Sequence, residues 1–229
     1  MFTITSASAR RNRLRTLVTV GVAAAAVTLT SPAMAATSST TVTPAGDAFQ
    51  GSLTAGTTAD FTLDTTTVSC GTSVTNGQVP AAAGNYNAAG SVSSALSNPS
   101  FTGCSTNNLL LSASTSTNST NGNWGIALQY DPAGTTGALT IPQGGVVVAI
   151  SGIASCTVTV APTGPTTVQG SWTPGTSTSA PKLAFSGVTV PVTVTGGFFC
   201  PILTTQATFT ASYDITDTTT PSAQIAVTS

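Results

Sequence analysis

Val188-Thr189-Val190-Pro191-Val192-Thr193-Val194-Thr195 carries valine at every even position and threonine or proline at every odd one. Side chains alternate across a strand with period two, so this stretch reads as a half-buried strand with one apolar and one hydroxyl face. Pro191 lacks the N–H a ladder needs and points to an edge or a bulge. A second such stretch runs through Ala207, Phe209, Ala211, Tyr213 and Ile215, with Thr208, Thr210, Ser212, Asp214 and Thr216 opposite. Shorter copies occur at Phe61 and Leu63, at Trp124, Ile126, Leu128 and Tyr130, at Leu139 and Ile141, and at Cys156, Val158 and Val160; others end in Trp172, Phe185 and Val227.

Turn chemistry separates these runs. Asp131-Pro132-Ala133-Gly134, Pro162-Thr163-Gly164-Pro165 and Thr173-Pro174-Gly175 place Pro and Gly where chain reversal needs them, which makes antiparallel hairpins the natural connection. Helical spacing is confined to Ala81-Ala82-Ala83, between Pro80 and Gly84, where one short turn is expected. The expected fold is therefore all-β, an antiparallel β-sandwich or flattened barrel. An outer-membrane barrel also alternates, but the outward positions here are Thr and Ser, and two Trp with three Tyr are too few for two aromatic girdles.

The N-terminus has a different character. Arg10, Arg11, Arg13 and Arg15 precede an apolar run from Leu17 to Thr30 and then Ser31-Pro32-Ala33-Met34-Ala35, the three parts of a secretory signal peptide with cleavage expected after Ala35. The run of about fourteen residues is shorter than the roughly twenty a spanning helix needs. Arg10-Arg11 admits the twin-arginine route, but Arg13 sits where that signal carries an apolar residue, which favours general secretion. The expected organisation is a signal peptide over 1–35, a flexible Thr/Ser-rich linker over 36–46 and a single all-β domain over 47–229.

Removing 35 of the 229 residues leaves 194 with Lys182 as the one base against Asp47, Asp60, Asp64, Asp131, Asp214 and Asp217, a formal charge of −5. One lysine cannot neutralise a row of phosphates, so nucleic acid is set aside, and lipid headgroups with it. His and Glu are absent, which removes most of the side chains that move protons near neutral pH. Ser179-Ala180-Pro181-Lys182 matches the SxxK string, but that motif needs one helical turn and Pro181 opposes it. Asp60 and Asp64, if extended, stand about 13 Å apart, too far for a glycosidase pair, and Asp214 and Asp217 fall on opposite strand faces. No catalytic residue and no cofactor are expected. Lys182 reads as a solubilising charge at the head of the strand carrying Leu183 and Phe185.

Cys70, Cys104, Cys156 and Cys200 are an even set in an exported chain, so two disulfides are expected. Three pairings are open; Cys70 with Cys104 and Cys156 with Cys200 are favoured because each closes a local loop and ties neighbouring strands. A metal site is disfavoured by the lack of any CxxC pair and of His.

Thr67-Val68-Ser69-Cys70, Pro99-Ser100-Phe101-Thr102-Gly103-Cys104, the aliphatic approach to Trp124, Ile153-Ala154-Ser155-Cys156-Thr157-Val158-Thr159-Val160 and Ala207-Thr208-Phe209-Thr210-Ala211-Ser212-Tyr213 together resemble a group of secreted actinobacterial Thr/Gly-rich four-cysteine β-proteins of unknown function. The resemblance implies an exported, disulfide-bonded β-fold and transfers no catalytic residue. Beside a hydrolase, which has no support beyond the SxxK string and the aspartates above, two functional classes remain. One is a non-enzymatic envelope or extracellular protein that acts by contact, with an envelope glycan or a protein as partner. The other is a module binding glycan or a small molecule through Trp124, Trp172, Tyr86 and Tyr130, since aromatic rings stack on sugars and line pockets. With few charges to protect its strand edges, the chain also carries an expectation of self-association.

Overall fold

A computed structural model describes residues 38–153, 155–197, 200 and 202–229. The expected signal peptide over 1–35 lies outside the described residues. The described chain is all-β, with the strands β1 (Thr40–Thr43), β2 (Ala48–Leu53), β3 (Ala59–Leu63), β4 (Thr66–Gln78), β5 (Tyr86–Asn87), β6 (Val92–Leu96), β7 (Ser100–Thr106), β8 (Leu111–Thr117), β9 (Trp124–Gln129), β10 (Thr136–Ile141), β11 (Val146–Gly152), β12 (Cys156–Val160), β13 (Thr166–Thr173), β14 (Lys182–Gly196), β15 (Gln206–Asp217) and β16 (Ala226–Thr228). β1 pairs with β5 and β16 in a three-stranded sheet, and the other thirteen strands form one antiparallel sheet.

The three longest strands give that sheet its shape, because each changes partner partway along. β4 pairs with β3 through Thr66–Cys70 and with β2 through Val74–Gln78. β15 meets β3 at Thr208–Thr210 and β2 at Tyr213–Asp217, while β14 meets β13 at Lys182–Ala184 and β12 at Val192–Gly196. Two closed circuits result. The first runs β3, β4, β7, β8, β11, β12, β14, β15 and back to β3; the second runs β2, β4, β6, β9, β10, β13, β14, β15 and back to β2. Each has one narrow seam, held by Ser105↔Ser112 in the first ring and Gly77↔Leu96 in the second. All thirteen strands therefore have a partner on both sides over part of their length, and the unpaired edges are those of the short β5 and β16 and the stretches of β6, β7 and β8 beyond the two seams.

Burial follows the alternation read from the sequence. Ala207, Phe209, Ala211, Tyr213 and Ile215 all point inward, as do Val190 and Val192. A chain of rings links the two halves: Phe61 lies 5.5 Å from Phe101 and 4.9 Å from Phe209, Phe209 lies 5.7 Å from Phe185, and Phe185 lies 6.5 Å from Tyr213. Edge and tilted contacts of this kind add to area burial because the ring faces are electron-rich and the edges are not.

The expected linker is corrected by β1, within which Thr40 and Val42 are buried. The Thr/Ser content that looked like a loose tail is strand with a hydroxyl face. The Thr40 hydroxyl accepts a hydrogen bond from the Tyr130 amide at 3.0 Å, and Val42 reaches the same interior space as Trp172 and Ile225. Pro191 is at neither an edge nor a bulge. It marks the point where β14 leaves β15 and takes up β12. Its missing N–H is accommodated because the carbonyl of Ala161, at φ +55°, accepts from Gly144 at 2.9 Å instead. The bulge lies earlier, between Phe185 and Val188, where Gly187 takes φ +59°.

Both disulfides have the expected pairing, Cys70 with Cys104 and Cys156 with Cys200. The first joins residues directly opposite on β4 and β7. The second ties β12 to the connection that follows β14, so it pins a loop to a strand where neighbouring strands were expected. At Ala81 the expected turn is present, its carbonyl accepting from Gly84 and Asn85 at 2.9 and 3.1 Å.

Candidate functional sites

The ionisable groups are drawn into structural roles one by one. Lys182 and Asp214 sit opposite each other on β14 and β15, with Nζ 2.6 Å from Oδ1, and the Thr54 hydroxyl donates to the same carboxylate oxygen at 2.8 Å. Lys182 is thus an ion-pair partner as well as a solubilising charge. At this exposure such a pair contributes about 0–1 kcal/mol. The Ser179 hydroxyl lies 2.8 Å from that of Thr176, so the SxxK string places its serine and lysine in two separate networks.

Asp131 accepts from the Ala133 amide at 2.8 Å and Asp217 from the amides of Thr219 and Thr220 at 2.9 and 2.7 Å; both are turn-forming carboxylates. Asp47 accepts from the Thr220 hydroxyl at 3.1 Å. Asp64 occupies the β3–β4 turn at φ +56°, past the end of β3, so the extended run on which a shared face with Asp60 depended stops at Leu63. No group of three His, Cys, Asp or Glu able to hold a metal occurs among the described residues.

One titratable group is deep in the core. The Tyr213 hydroxyl lies 3.0 Å from that of Ser73, itself buried, across the wall shared by the rings. Burial pushes the phenol up to about 12, because the phenolate would lose its hydration; the Ser73 hydrogen bond pulls the other way and loses.

The four aromatic candidates are not brought together. Trp124 is 2 % exposed and donates its indole N–H to the Asn118 carbonyl at 3.0 Å; Trp172 is 6 % exposed. Tyr130 is half-buried at the end of β9, and only Tyr86, at 51 %, presents much of its ring. Trp124 lines an apolar cavity of about 60 Å³ where the rings meet, together with Phe49, Phe61, Phe185 and Tyr213. Trp172 borders a smaller adjoining space of about 30 Å³ with Val42, Leu183 and Ile225.

Sequence reasoning did not single out the rim of the first ring farthest from the second. Four connections lead there: the β3–β4 turn, the β7–β8 tip and the described residues of the β11–β12 tip and of the segment from β14 to β15. Leu109 is 100 % exposed, Leu110 63 %, Ile153 64 % and Leu203 92 %; with Tyr86 they are the exposed large hydrophobic residues among those described. Nothing in the local patterning marked them, because loop leucines have no period to read.

No protein-family model, no curated protein and no solved structure matches this chain. What fold and geometry define is a class: an all-β protein of two closed antiparallel rings, tied by two disulfides.

Proposed function

We propose that this is an exported, non-enzymatic protein of the cell envelope or extracellular space that works by contact, in keeping with the secreted actinobacterial four-cysteine β-proteins it resembles. The observation that carries this reading is where its reactive side chains stand. All four cysteines are in disulfides, Lys182 is paired with Asp214, Asp131 and Asp217 close turns, and Tyr213 is sealed in the core. The pairing of every cysteine fits an oxidising compartment. The test is to recover the protein from its host, read its N-terminus by mass spectrometry and identify what co-purifies. A start at Ala36 outside the cytoplasm is expected; an intact Met1 terminus in the cytoplasm would overturn the proposal.

The alternative, a glycan- or small-molecule-binding module, has less support. Sugar stacking needs exposed ring faces, and both tryptophans are buried. The apolar cavity beside Trp124, about 60 Å³, is far below the ~300 Å³ at which ligand pockets begin, and the larger groove of about 240 Å³ beside Ser179 and Gln224 has none of the four aromatic residues in its lining. Iodide is expected to leave the tryptophan fluorescence nearly unquenched; strong quenching, relieved by a sugar, would revive the module.

A further inference from the structure

We infer that the far rim of the first ring is a lipid-docking surface, its exposed aliphatic side chains entering the hydrocarbon of an uncharged lipid layer. The inference rests on the contact reading above and names the partner.

The tips form one surface because their strands are neighbours and their backbones touch. Leu111 pairs with Gly152, so the β7–β8 and β11–β12 tips lie side by side, and the Ile153 amide donates to the Leu110 carbonyl at 3.4 Å. Gly152, at φ +136°, has no Cβ to push that carbonyl away. The Gly197 amide donates to the Ser155 carbonyl at 3.2 Å, and the Cys156–Cys200 disulfide holds Cys200, three residues before Leu203, against the start of β12.

The leucines are also held outward. Asn107 donates from its side chain to the Thr65 carbonyl at 2.9 Å and accepts from the Thr67 amide at 3.1 Å, while Asn108 accepts from the Leu110 amide at 3.0 Å. The polar residues build the tip, and Leu109 is left wholly in solvent. Four of the five exposed large hydrophobics among the described residues thus gather on one rim of a chain that is 5 % charged. The largest exposed apolar patch of a monomer is often its functional surface.

Area and charge choose that partner. Four aliphatic side chains offer on the order of 400 Å², about half of the ~800 Å² each side of a stable protein interface contributes, so a second copy is poorly served. Lipid hydrocarbon needs no matching pocket and accepts separate projecting chains. The charged group in the four connections, among described residues, is Asp64, and the lone lysine is at the other end of β14. A surface with a carboxylate and no cation suits neutral headgroups and repels anionic ones.

The experiment is flotation of the protein recovered from outside the cytoplasm and freed of lipid, its N-terminus first read so that the apolar run 17–30 is absent. Vesicles are pure phosphatidylcholine or phosphatidylcholine with one-third phosphatidylglycerol. The comparison is wild type against the double variant Leu109→Ser, Leu203→Ser, with melting temperatures confirming that both fold. The wild type is expected to float with neutral vesicles, the variant to lose at least tenfold in partitioning, and the anionic lipid to give no gain. The inference is overturned by absence of wild-type flotation, by equal flotation of the variant, or by a tenfold gain on anionic lipid. A wild-type dimer in light scattering that the variant abolishes would also overturn it, in favour of a second copy. Each of these results leaves the export and contact reading standing, because that reading is judged by the N-terminus and compartment.

Discussion

Tyr213 shows how a single residue can be both visible and opaque in sequence. Its place in the run Ala207 to Ile215 marks it as inward-facing, and it is buried. That its hydroxyl would meet Ser73, 140 positions away, no periodicity could show. The pairing has a pH consequence. An unfolded tyrosine ionises near 10, while Tyr213 in the fold is held neutral up to about 12. Its contribution of about 2–3 kcal/mol is fully present below pH 10 and lost as pH rises through 12. Denaturant midpoints measured from pH 8 to 12 should fall more steeply for the wild type than for Tyr213→Phe. The variant should begin about 1–2 kcal/mol less stable, since the Ser73 hydroxyl is left buried without its partner. Parallel curves would refute this account of the site. Trp124 and Trp172 mark the same boundary from the other side: their strands were legible, but burial removed the ring faces that made them look like ligand-binding residues.

At the scale of elements, strands with alternating bulky residues could be read and strands of small residues could not. β15 and the valine half of β14 are plain in sequence, whereas Leu111-Ser112-Ala113-Ser114-Thr115-Ser116-Thr117 buries only Leu111 yet forms β8. β1 was hidden for the same reason, its Thr40 being buried by tertiary contacts that composition does not encode. Ser186-Gly187 has the composition of a turn, but is a bulge within a continuous 15-residue strand because Phe185 and Val188 both pair with β15. The cysteine pairing was legible through local loop closure, with separations of 34 and 44 residues. In the chain-entropy picture each bridge restricts the unfolded chain by about 4 kcal/mol. Replacing Cys70 and Cys104 together by Ala should therefore cost about 2–5 kcal/mol in urea unfolding. Replacing Cys156 and Cys200 should cost a similar amount and also free the Leu203 segment, seen as faster amide exchange over 202–205. Unchanged midpoints in both variants would contradict these roles.

For the whole molecule, the sequence reading led to a sandwich or flattened barrel but not to two rings sharing β4, β14 and β15. Partner exchange partway along a strand depends on register between distant segments, such as Tyr213 against Leu53 and Phe209 against Phe61, and no local pattern records it. Closure bears directly on self-association: edge pairing in the large sheet is left the two seams as its places to start, along β6 and between β7 and β8. The molecule is asymmetric along the axis of its rings. Val42 and Ile225 from around the small sheet fill the interior of the second ring, while the far rim of the first bears Leu109, Leu110, Ile153 and Leu203 in solvent.

Contact through that rim is the centre of the account, and fractionation of the native cell tests it most directly. Wild type and the Leu109→Ser, Leu203→Ser variant are followed by mass spectrometry through cytoplasm, envelope lipid and medium. The wild type should be found in the envelope-lipid fraction with its N-terminus at Ala36, and the variant, equally folded, should move to the medium. Identical distributions of the two proteins, or retention of both in the cytoplasm, would contradict it.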